Sequence, residues 1–114
     1  MNRIRILAVD DDSDSLTVFR EMVRRLLPEA EVFTTLSGRK GIGLTVREDP
    51  DVIFLDLVMP EMDGFEVCSE LKKDETLRTI PVVFYTANII NPQLRIKALE
   101  AGADAFLSKP FRRK

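Results

Sequence analysis

The chain has 114 residues, 45% hydrophobic and 32% charged, which indicates one folded domain over residues 1–114 rather than a disordered or fibrous chain. Its formal net charge is -2, so no overall basic field attracts nucleic acid directly. No apolar run approaches the roughly 20 residues that span a bilayer. With one cysteine, no internal disulfide and no signal peptide at the start, we expect a cytoplasmic location.

Short β-branched runs alternate with longer segments of helical period along the chain. Five runs have the composition of buried strands, namely 4–9, 31–35, 51–56, 81–85 and 104–107. Apolar residues recur at helical spacing over 13–27, where Pro28 ends the pattern. A second helix is predicted up to residue 48, with Ser37 as its N-cap, although two internal glycines weaken it.

The third and fourth helices carry clearer start signals. Asp63 and Glu66 have the spacing of a capping box, which predicts a helix reaching about Lys73. Asn91 and Pro92 are typical of an N-cap followed by proline at the first helical position, and Gly102 lies where that helix ends. Strands that alternate with helices through short connections predict an α/β fold, a doubly wound sandwich around a parallel sheet.

In such sheets the functional groups gather beyond the carboxyl ends of the strands. Acids follow the first and third predicted strands at Asp10, Asp11 and Asp56, and Thr86 and Lys109 follow the fourth and fifth. A carboxylate cluster favours a hard cation, and Mg2+ is the natural occupant. Asp56 could then attack phosphorus as a carboxylate nucleophile, with Thr86 and Lys109 binding the phosphoryl oxygens. The absence of histidine excludes His-based triads and His-ligated metals.

Four stretches of the chain resemble the signature segments of CheY-like receiver domains of response regulators. They are ILAVDDDSDSL, DVIFLDLVMPEMDGFEV, PVVFYTA and AGADAFLSKPF, and they occur in the order of the family across nearly the whole chain. The resemblance implies a five-stranded, flavodoxin-like three-layer sandwich with strand order 2-1-3-4-5. It also implies that Asp10 and Asp11 bind the metal beside Asp56, the phosphoacceptor.

Further roles follow from the same resemblance. The backbone carbonyl of Val58 would be another metal ligand, Thr86 the switch hydroxyl and Phe106 the switch aromatic. Lys109 would bind the phosphate, and its bond to Pro110 would be cis. In this family the residues two positions after the acceptor and after the threonine tune the lifetime of the phosphoryl group. Here they are Val58 and Asn88, and because valine cannot orient a water we expect a long-lived phosphoaspartate.

The implied function is a phosphoryl-accepting switch rather than a turnover enzyme. The phosphoryl group would come from a phosphohistidine on a histidine kinase or phosphotransfer protein, with Mg2+ as cofactor. The domain could form a homodimer or be covalently linked to an effector domain. The fifth helix of the family has no counterpart before Lys114, so we expect a domain shortened before that helix and a bare strip over strands four and five.

Other interpretations of the acids are weaker. Asp10-x-Asp12 is also found around the nucleophile of haloacid-dehalogenase-type phosphatases, so a small Mg2+-dependent aspartyl-phosphate phosphatase is the alternative function. Asp10, Asp12 and Asp14 have the spacing of a calcium loop, but Ser15 stands where that loop needs glycine. We interpret Asp12, Ser13 or Asp14 as the cap of the first helix, and favour a capping role over a functional one for Asp12 and Asp14. Cys68 lacks a neighbouring base and is interpreted as a packing residue.

Overall fold

The computed structural model describes residues 3–87 and 91–109, in which five strands alternate with four helices. The strands are β1 (Arg5–Val9), β2 (Glu31–Thr35), β3 (Val52–Leu55), β4 (Val82–Thr86) and β5 (Ala105–Ser108). The helices are α1 (Ser13–Leu26), α2 (Gly38–Glu48), α3 (Gly64–Lys73) and α4 (Pro92–Glu100). Each predicted element is present, and its ends are shifted by about one residue, within the usual uncertainty of element boundaries.

The strands form one parallel sheet in the order β2-β1-β3-β4-β5, which confirms the predicted α/β fold. Successive side chains of a strand point to opposite faces of the sheet. On one face Ile6 and Ala8 pack against Phe19 of α1. On the other face Leu7 and Val9 belong to the larger core to which α2, α3 and α4 contribute. The result is a three-layer sandwich with the sheet in the middle.

The predicted helix caps are all present. The Asp12 carboxylate accepts a hydrogen bond from the backbone N–H of Asp14, and Ser37 caps α2 in the same way. The Asp63 carboxylate and the Glu66 carboxylate each accept the other residue's backbone N–H at 2.9 Å, which completes the capping box of α3. These caps fix where each helix begins relative to the preceding strand end, and therefore fix the loops around the site.

Helix α2 packs directly against β1 at a glycine. A Cβ atom on Gly41 would stand 2.8 Å from Cγ2 of Val9, a distance at which one of them must shift. A Cβ on Gly43 would meet nothing within 4 Å. The two glycines that weaken the helix by propensity are therefore not equivalent, since only Gly41 permits a close approach of helix to sheet.

Strand β5 is poorly covered on the α1 side of the sheet. By the strand register, Ala105 lies beside Val83 and Leu107 lies beside Tyr85 on that face. Ala105 and Leu107 are both exposed, and 48% of the surface of Leu107 is accessible. No helix within residues 3–87 and 91–109 covers them. The predictions about the fifth helix and about a cis Lys109–Pro110 bond concern residues that the structure does not describe. None of the described helices is long and apolar enough to cross a bilayer.

Candidate functional site

The carboxyl ends of four strands converge on one edge of the sheet. The backbone N–H of Asp56 donates to the carbonyl of Val9 at 3.0 Å, and the N–H of Lys109 donates to the carbonyl of Thr86 at 2.9 Å. These bonds continue the ladder of the sheet one residue beyond the ends of β3 and β5. The backbones that carry the predicted site residues, including Asp10 after β1, are therefore held by the sheet itself.

Three carboxylates meet at this edge. One oxygen from each of Asp10, Asp11 and Asp56 lies within 4.8 Å of the other two. Asp10 and Asp56 are buried, with 5% and 9% of their surface exposed, whereas Asp11 is exposed. An all-oxygen donor set with one open side fits a hard divalent cation such as Mg2+, which keeps several of its waters when bound.

The amine of Lys109 is the positive partner of this cluster. Its Nζ lies 2.6 Å from Oδ2 of Asp10 and 3.6 Å from Oδ2 of Asp56. Burial alone would lower the pKa of Lys109, but the hydrogen bond to Asp10 and the charges of Asp56 and Asp10 outweigh it, so the pKa is raised. Lys109 is therefore a fixed positive charge at the site at neutral pH.

The pKa of Asp56 is raised above its usual 3.8. Burial is the main cause, and the charge of Asp10 adds to it. The charge of Lys109, a hydrogen bond from the side chain of Thr86 and the backbone N–H of Leu57, which lies 2.9 Å from Oδ1, act in the opposite direction. The result is a poorly solvated, more basic carboxylate, which suits a nucleophile.

Asp10 and Asp12 have different surroundings although they are two residues apart. Oδ1 of Asp10 accepts the backbone N–H of Asp12 at 3.0 Å, and Oδ2 accepts the ammonium of Lys109. The Asp12 carboxylate accepts the N–H of Asp14 at the start of α1. Of the three cap candidates that the sequence offered, Asp12 is the one that caps α1, and it is not part of the three-carboxylate group.

Gly64 supports the site in a way that the sequence interpretation missed. A Cβ on Gly64 would lie 2.1 Å from the backbone oxygen of Asp56, far closer than a Cβ atom approaches an oxygen to which it is not bonded. The N–H of Gly64 donates to the carbonyl of Leu57 at 2.9 Å. Only glycine lets the first turn of α3 press against the backbone of the predicted acceptor. The Asp63-Gly64 pair after a turn-rich loop was the available signal.

The loop between β3 and α3 contains a tight turn beside Asp56. Glu61 has a φ of 69°, in the left-handed region, and the N–H of Met62 donates to the carbonyl of Pro60 at 2.7 Å. Val58, two residues after Asp56, is 64% exposed. The predicted role of its carbonyl as a metal ligand stays a prediction.

The two predicted switch residues lie on the same side of the sheet. Thr86 is fully buried at the end of β4, with 1% exposed. The half-buried ring of Phe106 packs on the ring of Phe84, two residues before Thr86, with centroids 6.3 Å apart. Asn88, the second predicted lifetime residue, lies outside the described part of the chain. The switch roles of Thr86 and Phe106 remain predictions.

Cys68 is fully buried in α3, as expected of a packing residue. Its Sγ lies 3.3 Å from the carbonyl oxygen of Ala101. Burial raises the pKa of the thiol to about 11, so the thiolate is scarce at neutral pH. These surroundings agree with the interpretation of Cys68 as a packing residue.

A doubly wound sheet in the order 2-1-3-4-5, with carboxylates and a lysine at its carboxyl edge, defines a flavodoxin-like protein of the CheY type. The chain belongs to the response regulator receiver domain family, whose model matches residues 6–114. These receiver domains are components of two-component signalling systems.

Named relatives agree with this assignment. The chain is 45% identical over 108 residues to Response regulator PleD of Caulobacter vibrioides, covering 94% of this chain and 23% of PleD. It is 41% identical over 110 residues to the DNA-binding dual master transcriptional regulator RpaA of Synechocystis, covering 94% of this chain and 43% of RpaA. The chain therefore spans less than half the length of these relatives.

Among solved structures, the phosphorylated cyanobacterial phytochrome response regulator RcpA matches with a TM-score of 0.84 and 27% identity. The match covers 96% of this chain and 82% of RcpA. The family and the fold are thus supported by sequence and by structure together.

Proposed function

We propose that this domain accepts a phosphoryl group on Asp56 from a phosphohistidine of a histidine kinase or phosphotransfer protein. The observation that carries the proposal is the position of the Asp56 carboxylate, which is buried next to the Asp10 carboxylate and 3.6 Å from the Lys109 ammonium. Burial makes the carboxylate basic, and the ammonium offers a positive charge to an incoming anion. That RcpA is described in a phosphorylated form supports this assignment.

In the proposed transfer, an oxygen of Asp56 attacks phosphorus while the bond between phosphorus and the histidine nitrogen breaks. The nitrogen keeps the electron pair, and a phosphorus–oxygen bond forms on Asp56. Lys109 binds the phosphoryl oxygens, since its Nζ already lies 3.6 Å from Oδ2 of Asp56. The hydroxyl of Thr86, buried beside Asp56, binds another oxygen. Positioning and charge neutralisation provide most of the catalysis in such transfers.

The three carboxylates of Asp10, Asp11 and Asp56 would hold Mg2+, with the carbonyl of Val58 as a further ligand. When bound, Mg2+ supplies charge neutralisation of the phosphoryl oxygens. Asp11, the exposed member, lies on the open side of the group, whereas Asp10 also holds Lys109 in place.

The product carries a dianionic phosphoryl group on Asp56, at the carboxyl ends of the strands. The phosphorylated domain then acts as a switch and is not an intermediate of a catalytic cycle. Thr86 moves toward the phosphoryl group and Phe106 turns into the space that it leaves, which shifts the population between two surfaces around α4 and β5. The output passes to an effector domain or to a second copy of the domain. A DNA-binding effector, as in the description of RpaA, is one form of that output.

Incubation with Mg2+ and acetyl phosphate, followed by intact mass spectrometry, tests the proposal. We expect a gain of one phosphoryl group per chain, lost in Asp56→Asn. Asp11→Asn should need much more Mg2+ for labelling, whereas Asp12→Asn is the matched control because asparagine caps a helix as well as aspartate does. Steady release of inorganic phosphate with repeated turnover would instead support the alternative phosphatase.

A further inference from the structure

Helix α4 is attached to the rest of the domain by a narrow apolar face. Ala98 is its one fully buried residue, and Leu94 and Ala101 pack against the core only in part. Ile96 and Leu99 point outward, with 55% and 71% of their surface exposed. A buried face made mainly of alanine removes little apolar area from water, so it contributes little to holding the helix in place.

Two basic residues of α4 lie over aromatic rings on either side of the helix. The Arg95 guanidinium carbon is 5.9 Å from the ring centre of Phe106 in β5. The Lys97 ammonium is 4.7 Å from the ring centre of Phe65 in α3. Residues two apart on a helix point in nearly opposite directions. The two contacts therefore join opposite sides of α4 to β5 and to α3.

The two rings beneath these cations are connected through a third. Phe84 is fully buried, and its ring lies 5.4 Å from that of Phe65 and 6.3 Å from that of Phe106. Phe84 belongs to β4, the strand that ends at Thr86. A displacement of the Phe106 ring would therefore change its contact with Phe84 in β4 and its contact with Arg95 in α4.

We propose that Arg95 and Lys97 are positioning residues that hold α4 in its resting place through cation–π contacts. Arg95 additionally stabilises the resting orientation of the Phe106 ring, because rotation of the ring would break its contact with the Arg95 guanidinium. The link to Asp56 rests on the proposed function, since it requires phosphorylation to move Phe106. The hold on α4 itself does not depend on phosphorylation.

Hydrogen exchange measured by mass spectrometry tests the hold on α4. Methionine keeps most of the unbranched apolar stem of each side chain and removes its charge, so we compare Arg95→Met and Lys97→Met with wild type. Exchange over residues 92–100 should be about two- to fivefold faster in each variant, while β1 and β3 are unchanged. Lys73→Met, an exposed lysine in the last turn of α3, is the matched control and should leave α4 unchanged.

A double-mutant comparison shows whether the rings are responsible. In a Phe65→Leu background, Lys97→Met should no longer accelerate exchange in α4, because the contact is already absent. Equal exchange in wild type, Arg95→Met and Lys97→Met would overturn the inference. So would an acceleration by Lys97→Met that persists undiminished after Phe65→Leu.

The link to the site is tested on the same samples with Mg2+ and acetyl phosphate. Wild type should show faster exchange in α4 after labelling, and Arg95→Met should show a change at least about twofold smaller because its α4 is already released. An undiminished change in labelled Arg95→Met contradicts retention of Phe106 by Arg95. Failure to gain mass contradicts the proposed function and the link, while the hold on α4 is decided by the unlabelled samples.

Discussion

The ammonium of Lys109 lies 2.6 Å from Oδ2 of Asp10 but 3.6 Å from Oδ2 of Asp56. The same Asp10 carboxylate belongs to the three-carboxylate group that would bind Mg2+. A cation entering this group therefore meets a positive charge already hydrogen-bonded to one of its ligands. Lys109 and a bound metal ion would share Asp10, and each would weaken the binding of the other to that carboxylate.

Lys109→Met should therefore bind Mg2+ more tightly than wild type, by about tenfold, because a repelling charge next to the metal ligands is removed. Isothermal titration at moderate ionic strength measures the affinity. Lys73→Met, which removes an exposed lysine from α3, should bind Mg2+ as wild type does. Weaker binding in Lys109→Met would mean that the amine organises the carboxylates instead of competing with the metal.

Asp56→Asn should stabilise the metal-free domain at neutral pH. The folded pKa of Asp56 is raised above 3.8, so the stabilisation associated with its proton is complete below pH 3.8 and is lost as the pH rises through the folded pKa. At pH 7 the buried carboxylate is charged and lowers the free energy of unfolding. We expect the variant to be more stable than wild type at pH 7, with the gain shrinking as the pH falls toward 3.8.

Urea unfolding in the presence of a chelator measures this pH dependence. Asp74→Asn is the control, since the exposed Asp74 carboxylate accepts backbone hydrogen bonds from Thr76 and Leu77 that an asparagine oxygen can also accept. Its free energy of unfolding should stay within about 0.5 kcal/mol of wild type at either pH. A gain for Asp56→Asn that is constant from pH 7 to pH 4 would refute the electrostatic explanation.

Much of the fold could be predicted because its signals are local. The capping box of Asp63 and Glu66 and the N-cap at Asn91 depend only on residues a few positions apart, and the structure has both. The meeting of acids from β1 and β3 with Lys109 was also predictable. Carboxyl ends of parallel strands share one edge whatever the details of packing.

Other features depend on distances that no local pattern encodes. Gly41 and Gly43 look alike in the sequence, yet only Gly41 lies against Val9. The preference of Lys109 for Asp10 over Asp56 rests on a difference of about one ångström between two contacts. The cations over Phe65 and Phe106 required the position of α4 on the sheet. Such features become visible only once the elements are packed.

Gly64→Ala should damage both stability and labelling. The added Cβ would lie 2.1 Å from the backbone oxygen of Asp56, so α3 or the end of β3 must move. We expect a loss of about 1–3 kcal/mol in the free energy of unfolding, the usual cost of overpacking, and slower labelling of Asp56. Chemical denaturation and intact mass spectrometry measure the two effects.

Gly43→Ala is the matched control for this substitution. Gly43 lies inside α2, and its Cβ would meet nothing within 4 Å. Replacing a helical glycine in open space should stabilise the domain by about 0.5–1 kcal/mol and leave labelling unchanged. Equal effects at Gly64 and Gly43 would show that the close approach of α3 to Asp56 does not matter.

Val58→Asn should shorten the lifetime of the phosphorylated domain. Val58 lies two residues after Asp56, is 64% exposed, and offers no group that could orient a water toward the phosphorus. An amide at this position can hold such a water, so hydrolysis should become several-fold faster, about three- to tenfold. The decay of the phosphoryl mass after removal of the donor gives the rate.

Val46→Asn, at a valine of α2 that is 65% exposed, is the control, and its phosphoryl group should be lost at the wild-type rate. Loss of the label from wild type within seconds would contradict the long lifetime expected of valine, and an equal rate in Val58→Asn would show that this side chain does not control access of water to the phosphoaspartate.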